Sequence, residues 1–192
     1  MAPPAPRFKI VAVRHGETEW SAALKHTGYT DVPLTPTGRR RAEELAPELT
    51  GNYAIVLSSP LRRARETAAL AGYPGPVIDP DLHEWDYGDY EGLTTDEIRA
   101  QRPDWNLWRD GCPGGETPDQ VAARADRVLA RIRAAGGDAL VFAHGHILRV
   151  FTARWLTMPP SAGARFVLAT GSVAVLGHER ETEVIERWNA GR

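Results

Sequence analysis

The 192-residue sequence predicts an α/β fold, a three-layer α/β/α sandwich built on a mostly parallel six-stranded sheet. Two observations carry that prediction. Short apolar runs alternate with amphipathic stretches of helical period, and several of those stretches open on a capping residue followed by proline. A third observation locates the chemistry. Apolar runs stop abruptly at histidine- or arginine-bearing segments, and in open sheets of this type ligands sit beyond the carboxyl ends of the strands.

Phe8 to Val13 (FKIVAV) reads as the first buried strand, ahead of Arg14-His15-Gly16. Thr35-Pro36 opens an amphipathic stretch to Leu49, with Thr35 as N-cap, Pro36 at the first helical position and Gly38 an early blemish. Ala54 to Leu57 is a second strand, and Ser59-Pro60 starts a helix through Leu70 by the same cap-then-proline logic. The segment Gly72 to Gly92, rich in Gly, Pro and Asp, reads as a loop with one short strand at Val77-Ile78. Thr94 to Arg99 reads as a brief helix. Thr117-Pro118 begins the clearest helix, which runs to Arg133 with Val121, Ala125, Val128, Leu129 and Ile132 on one face and ends at Gly136-Gly137. Ala139 to Ala143 (ALVFA) is another buried strand, followed at once by His144-Gly145-His146 and a helix to about Leu156. Phe166 to Ala169, Ser172 to Leu176 and Glu183 to Trp188 read as later strands.

The length fits a single domain over residues 1–192, with residues 1–7, three of them proline, expected as a disordered leader. That leader has no apolar run, so neither a signal peptide nor a membrane span is expected, and the cytoplasm is the default location. Cys112 is the only cysteine, which excludes an internal disulfide. A net charge of −2 gives no general attraction to nucleic acid or to an anionic membrane. Oligomeric state is left open, a homodimer included.

Arg14, His15, Arg63 and His144 at strand ends suggest a pocket for a dianionic phosphoryl group. Arginine donates two hydrogen bonds to adjacent phosphate oxygens from one planar fork. A neutral imidazole can attack phosphorus and so split one hard displacement into two easier ones. Gly16 and Gly145 would let backbone approach closely, with an amide donating to the phosphate. An alkoxide leaves poorly, so an acid must protonate it, and Glu84 in the loop Leu82 to Gly88 is the candidate, acting as base in the second step. Ser21, Thr27 and Gly28 on the loop after the first motif are expected to shape the substrate side of the pocket.

The segments carrying these residues resemble the motifs of the histidine phosphatase superfamily, also called phosphoglycerate mutase-like. Arg14-His15-Gly16-Glu17-Thr18 is similar to its first motif, and Ser59 to Ala68 to its second, with Arg63 in the phosphate-binding place. Leu82-x-Glu84-x-x-x-Gly88 resembles its acid loop, and His144-Gly145 its C-terminal pair. All occur in the family's order over roughly residues 8 to 180. The runs Tyr87 to Gly92, Trp105 to Cys112 and Phe142 to Arg149 look like the sedoheptulose-1,7-bisphosphatase branch. That likeness implies a sugar-bisphosphate substrate, with Arg149 as ligand of a distal phosphate. Acid phosphatases share the run Glu84-Trp85-Asp86-Tyr87-Gly88 and remain an alternative. A cofactor-dependent mutase is disfavoured by Ser21 where that group has Asn, and by the short chain.

The expected activity is therefore metal-independent hydrolysis of a small phosphate ester, with no cofactor. A metal-dependent hydrolase using His144 and His146 is the rival enzyme, but no further ligand set accompanies them. A non-catalytic phosphate-binding module is the rival outside enzymes, and the intact set of Arg14, His15, Arg63, Glu84 and His144 argues against it. His146 is expected to pack at its helix start. Arg62 is read as facing solvent or steering anions, and His26 and His83 as surface residues by default, with substrate contact as their other reading because they lie near the motifs. Trp20, Trp105 and Trp108 either line a sugar pocket or pack the core, and Arg149 has a carboxylate pairing as its other reading.

Overall fold

A computed structural model describes residues 7–191, and six strands form one sheet in the order β3-β2-β4-β1-β5-β6. They are β1 Ile10–Arg14, β2 Ile55–Ser58, β3 Val77–Ile78, β4 Ala139–Ala143, β5 Val173–Glu179 and β6 Thr182–Ala190. β3, β2, β4 and β1 run parallel, while β5 and β6 add an antiparallel edge. The helices are α1 Glu19–Ala22, α2 Pro36–Glu44, α3 Arg62–Leu70, α4 Thr95–Gln101, α5 Leu107–Asp110, α6 Pro118–Ala135 and α7 Gly145–Trp155. The expected leader falls on residues outside those described, except Arg7, which lies exposed beside Glu181.

β4 explains the layering. Every residue of ALVFA is buried, as a central parallel strand covered on both faces requires. Because side chains alternate across a strand, Leu140 and Phe142 pack with Leu45, Leu49, Ala68 and Ala71 on one side. Ala139, Val141 and Ala143 face the other side, with Val128, Leu129 and Ile132 of α6 and Ile147, Val150 and Phe151 of α7. The sheet therefore has two helical layers. Among the described residues no helix is long and apolar enough to cross a membrane.

Several boundaries differ from the sequence reading, each for a local reason. α2 stops at Glu44, short of Leu49, and a 3-10 turn over Ala46–Glu48 follows; Pro47 lacks the N–H that continuing the helix would need. α3 starts at Arg62 and not after Ser59: Leu61 occupies the cap position without a side-chain cap, and Ser59 Oγ accepts from Leu61 N ahead of the helix and from His144 Nε2. Residues 166–169 form no strand. The carbonyl of Val167 accepts from Trp188 Nε1, that of Leu168 from Arg14 Nη1, and the amide of Ala169 donates to Asn189 Oδ1, so ladder groups are diverted to side chains. Gly38 is no blemish. A Cβ there would lie 2.2 Å from Glu17 O, and one on Gly16 would lie 2.4 Å from Gly38 O, so the loop after β1 and α2 meet backbone to backbone.

Register brings the loaded strand ends together. Arg14 sits opposite Ala143, and Ser58 opposite Phe142. The amide of His15 donates to Ala143 O at 3.0 Å, and that of Ser59 to Phe142 O at 2.9 Å. Residues far apart in sequence thus leave the sheet side by side.

Candidate active site

His15 leaves β1 and is 5% exposed. Its Nδ1 lies 2.7 Å from Gly16 O, and a carbonyl can only accept, so Nδ1 carries the proton. Nε2 is then the atom with the free lone pair. Burial, followed by the charges of Arg63 and Arg14, holds the imidazole pKa well below its ordinary 6.5. The same Gly16 donates its amide to Thr67 Oγ1 at 3.0 Å, which ties the loop to α3.

Arg14 turns its guanidinium over Gly145, where a Cβ would meet Cζ at 3.2 Å. Nη1 donates to Leu168 O, while the buried Nε has no partner among the described residues. A buried guanidinium N–H without an acceptor is unusual and suits an anionic ligand.

Glu84 is buried and its carboxylate faces the start of α7. Oε1 accepts from the amides of Trp85 and Ile147 at 2.9 and 2.8 Å, and Oε2 accepts from His146 N at 2.9 Å. The first turn of a helix supplies unsatisfied amides, which is why an acidic side chain settles there.

Arg63 and His144 are fully buried behind His15. Arg63 Nε donates to His144 Nδ1 at 3.1 Å, Nη1 to Thr30 O, and Nη2 to Thr27 O and Gly28 O. His144 Nδ1 is thereby an acceptor, so its Nε2–H donates to Ser59 Oγ at 2.7 Å. The His144 ring meets His15 edge to face, with centroids 5.1 Å apart. Burial, then Arg63, depresses the His144 pKa well below 6.5.

A cavity of about 590 Å³ opens in front of this group, and Arg14, His15, Ser21, Thr27, Glu84, Gly145 and Arg149 line it. Three residues expected at the site do not line it. Arg63 and His144 form the layer behind, and Gly28 is a support whose carbonyl holds Arg63 and whose amide donates to Glu91. Among the described residues Arg149 pairs with no carboxylate. Its Nε and Nη2 donate to Gly163 O and Ala164 O, and its guanidinium stacks 4.5 Å from the Trp108 ring.

Some sequence readings change here. Trp105 is core, with Nε1 donating to Gly111 O, Trp20 covers Gly92, and Trp108 backs Arg149; none of the three lines the main cavity. His26 is buried and lines the cavity, and His83 is part-buried with its ring stacked 4.4 Å from Tyr29, so neither is a simple surface residue. Arg62 is exposed and pairs with Glu66, as a solvent-facing helical residue does. His146 packs at the start of α7 with Nδ1 against Tyr87 OH. Among the described residues no group of three or more His, Cys, Asp or Glu side chains is arranged to hold a metal ion. Lys25, Tyr87 and Thr67 join the site without having been singled out for it, and Thr67 had a signal in its place one turn after Arg63; His26 takes the substrate-side place that its proximity to the motifs allowed.

The sequence family described as the histidine phosphatase superfamily (branch 1) matches residues 10–191. The chain belongs to the histidine phosphatase superfamily. An acid phosphatase of Mycobacterium tuberculosis is 45% identical, across 89% of this chain and 87% of that protein. Sedoheptulose 1,7-bisphosphatase of Saccharomyces cerevisiae is 40% identical, across 77% of this chain and 67% of the relative. The solved structure of an open reading frame product of Mycobacterium tuberculosis superposes with a TM-score of 0.91 at 42% identity, covering 95% of this chain and 97% of that one. Mycobacterial glucosyl-3-phosphoglycerate phosphatase in complex with VO3 gives 0.84 at 28% identity, covering 96% and 100%. As a histidine phosphatase with such relatives, the chain is a phosphoric monoester hydrolase.

Proposed function

We propose that this histidine phosphatase cleaves small sugar phosphates or bisphosphates, without metal, through a phosphoramidate formed on His15 Nε2. The observation that carries the reading is the hydrogen bond from His15 Nδ1 to Gly16 O, which fixes the tautomer and leaves Nε2 bare in a site too buried and too positive to protonate it.

In the first step the Nε2 lone pair attacks phosphorus, the N–P bond forms and the ester P–O bond breaks. Arg14 Nε supplies a donor to one phosphoryl oxygen. His144 turns its Nε2–H from Ser59 Oγ to another oxygen, an exchange that favours the charged acceptor. Arg63 holds His144 in its tautomer and adds positive field, and Gly145 lines the same space. Glu84 passes a proton to the departing alkoxide. In the second step it takes a proton from water as the water oxygen attacks phosphorus and the N–P bond breaks.

For the leaving group, the cavity offers Ser21 and Thr27 as polar groups and Lys25 and Arg149 as cations. Arg149 is the distal-phosphate ligand in this reading, since its stacking on Trp108 holds the guanidinium in place. The test is phosphate release from sedoheptulose 1,7-bisphosphate, fructose 1,6-bisphosphate, 3-phosphoglycerate and p-nitrophenyl phosphate, in EDTA, with and without vanadate. Release that survives EDTA and stops with vanadate is expected, strongest on the sugar bisphosphates. Equal release from all four esters would favour a broad acid phosphatase, isomerised 3-phosphoglycerate would indicate a mutase, and loss in EDTA would refute the mechanism.

A further inference from the structure

Two histidines outside the phosphoryl pocket carry complementary, unused hydrogen-bonding atoms. His26 Nδ1 lies 2.8 Å from Leu93 O, so that nitrogen holds the proton and Nε2 is a bare acceptor. His146 is the reverse. Tyr87 OH has no other partner among the described residues, so it donates to His146 Nδ1, and Nε2 of His146 carries an N–H. Among the described residues neither Nε2 atom has a protein partner, and neither is sealed from solvent. The rings lie nearly parallel, 7° apart in plane, with centroids separated by 6.2 Å.

Their position gives the pair a meaning. Both histidines line the main cavity, and both also line a second hollow of about 300 Å³ with Trp105, Asn106 and Trp108. Both line the same cavity as His15, within the space open to a leaving group whose phosphoryl group is beside His15. A hydroxyl is the group that both donates and accepts. Rings 6.2 Å apart suit two hydroxyls on neighbouring carbons, each within hydrogen-bond reach of one Nε2 at about 2.8 Å. Burial pushes the pKa of His26 down and that of His146 far down, so both stay neutral and keep these opposite roles.

We propose that His26 and His146 are a donor–acceptor pair that reads hydroxyl groups of the leaving group, so that the preferred ester is that of a polyol or sugar rather than of a plain alcohol. This rests on the phosphomonoesterase reading above and names the specificity residues of the same site. Neither histidine is a participant in the bond-making steps.

The test uses glucitol 6-phosphate and n-hexyl phosphate, which share chain length and differ in hydroxyls, with p-nitrophenyl phosphate alongside. His26→Asn keeps a donor for Leu93 O, and His146→Asn keeps an acceptor for Tyr87 OH, while each removes its Nε2. The wild-type enzyme is expected to prefer the hexitol ester in kcat/KM. Each variant should cut that preference about tenfold, the worth of one hydrogen bond. No preference in the wild type, or variants that slow both esters in proportion, would overturn the proposal. EDTA-resistant release from the aryl ester reports the underlying chemistry separately, so its loss would refute the phosphohistidine reading, whereas its presence without hydroxyl preference refutes only the histidine pair.

Discussion

Thr67→Val isolates the link between the loop of His15 and the helix that carries Arg63. The two side chains are nearly equal in volume, and Thr67 is fully buried, so the change leaves no cavity. What it removes is the acceptor for the buried amide of Gly16, 3.0 Å away. The hydroxyl's own donor goes to Arg63 O, a helix carbonyl that keeps its backbone partner, so Gly16 N–H is the group left unsatisfied. An orphaned buried donor costs about 1–3 kcal/mol. With a urea slope of about 2 kcal/mol per M, the unfolding midpoint should fall by roughly 0.5–1.5 M. Gly16 also supplies the carbonyl that fixes the His15 tautomer, and a shift of about 1 Å at a nucleophile costs up to about a hundredfold in rate. kcat on p-nitrophenyl phosphate should therefore drop at least about tenfold. Thr67→Ser keeps the hydroxyl and loses a methyl, so it should lose some stability and keep kcat. A Val variant with wild-type midpoint and kcat, or a Ser variant as slow as Val, would refute the reasoning.

Gly145→Ala sets a methyl 3.2 Å from Arg14 Cζ, so the guanidinium must move and kcat/KM should fall about tenfold or more, read by steady-state kinetics beside a thermal melt that changes little. Arg149→Met keeps an apolar stem on Trp108 and removes the charge, so the preference for fructose 1,6-bisphosphate over fructose 6-phosphate should shrink about tenfold. Stability should also depend on pH in a set direction. His15, His144 and His146 are held well below 6.5, so the folded chain refuses protons that the unfolded chain takes up as pH falls through that value. Stability is then full above about pH 6.5 and declines below it, by up to about 1.4 kcal/mol per pH unit for each histidine; urea midpoints that stay flat down to about pH 5 would contradict this. Because His15 stays neutral there, activity should persist into the same acidic range.

The layers were legible because their causes are local. Continuous apolar runs such as ALVFA mark strands covered on both faces, and Thr35-Pro36 and Thr117-Pro118 mark helix starts whose caps the structure shows. Ser59-Pro60 has the same appearance but misleads, because Ser59 Oγ accepts from His144 Nε2, a partner 85 residues away, and its one local bond, from Leu61 N, lies ahead of the helix that begins at Arg62. Phe166 to Ala169 misleads likewise, since Arg14, Trp188 and Asn189 take its backbone groups. At the site, the strand ends announced Arg14, His15 and His144. What stayed hidden was orientation: that Arg63 spends its donors on three loop carbonyls and His144, and that His26 is inside. A lone histidine in a polar loop carries no sign of the Leu93 carbonyl that buries it.

The central claim is covalent, so it is tested most directly by trapping the intermediate. The enzyme is mixed with p-nitrophenyl phosphate, quenched in base within the first turnover, digested and mapped by mass spectrometry, with 31P NMR distinguishing the two ring nitrogens. One phosphoryl group on the peptide containing His15, bonded at Nε2 and absent from His15→Ala, is the predicted result. A phosphoryl group on His144, attachment at Nδ1 of His15, or turnover that continues in His15→Ala would contradict the account.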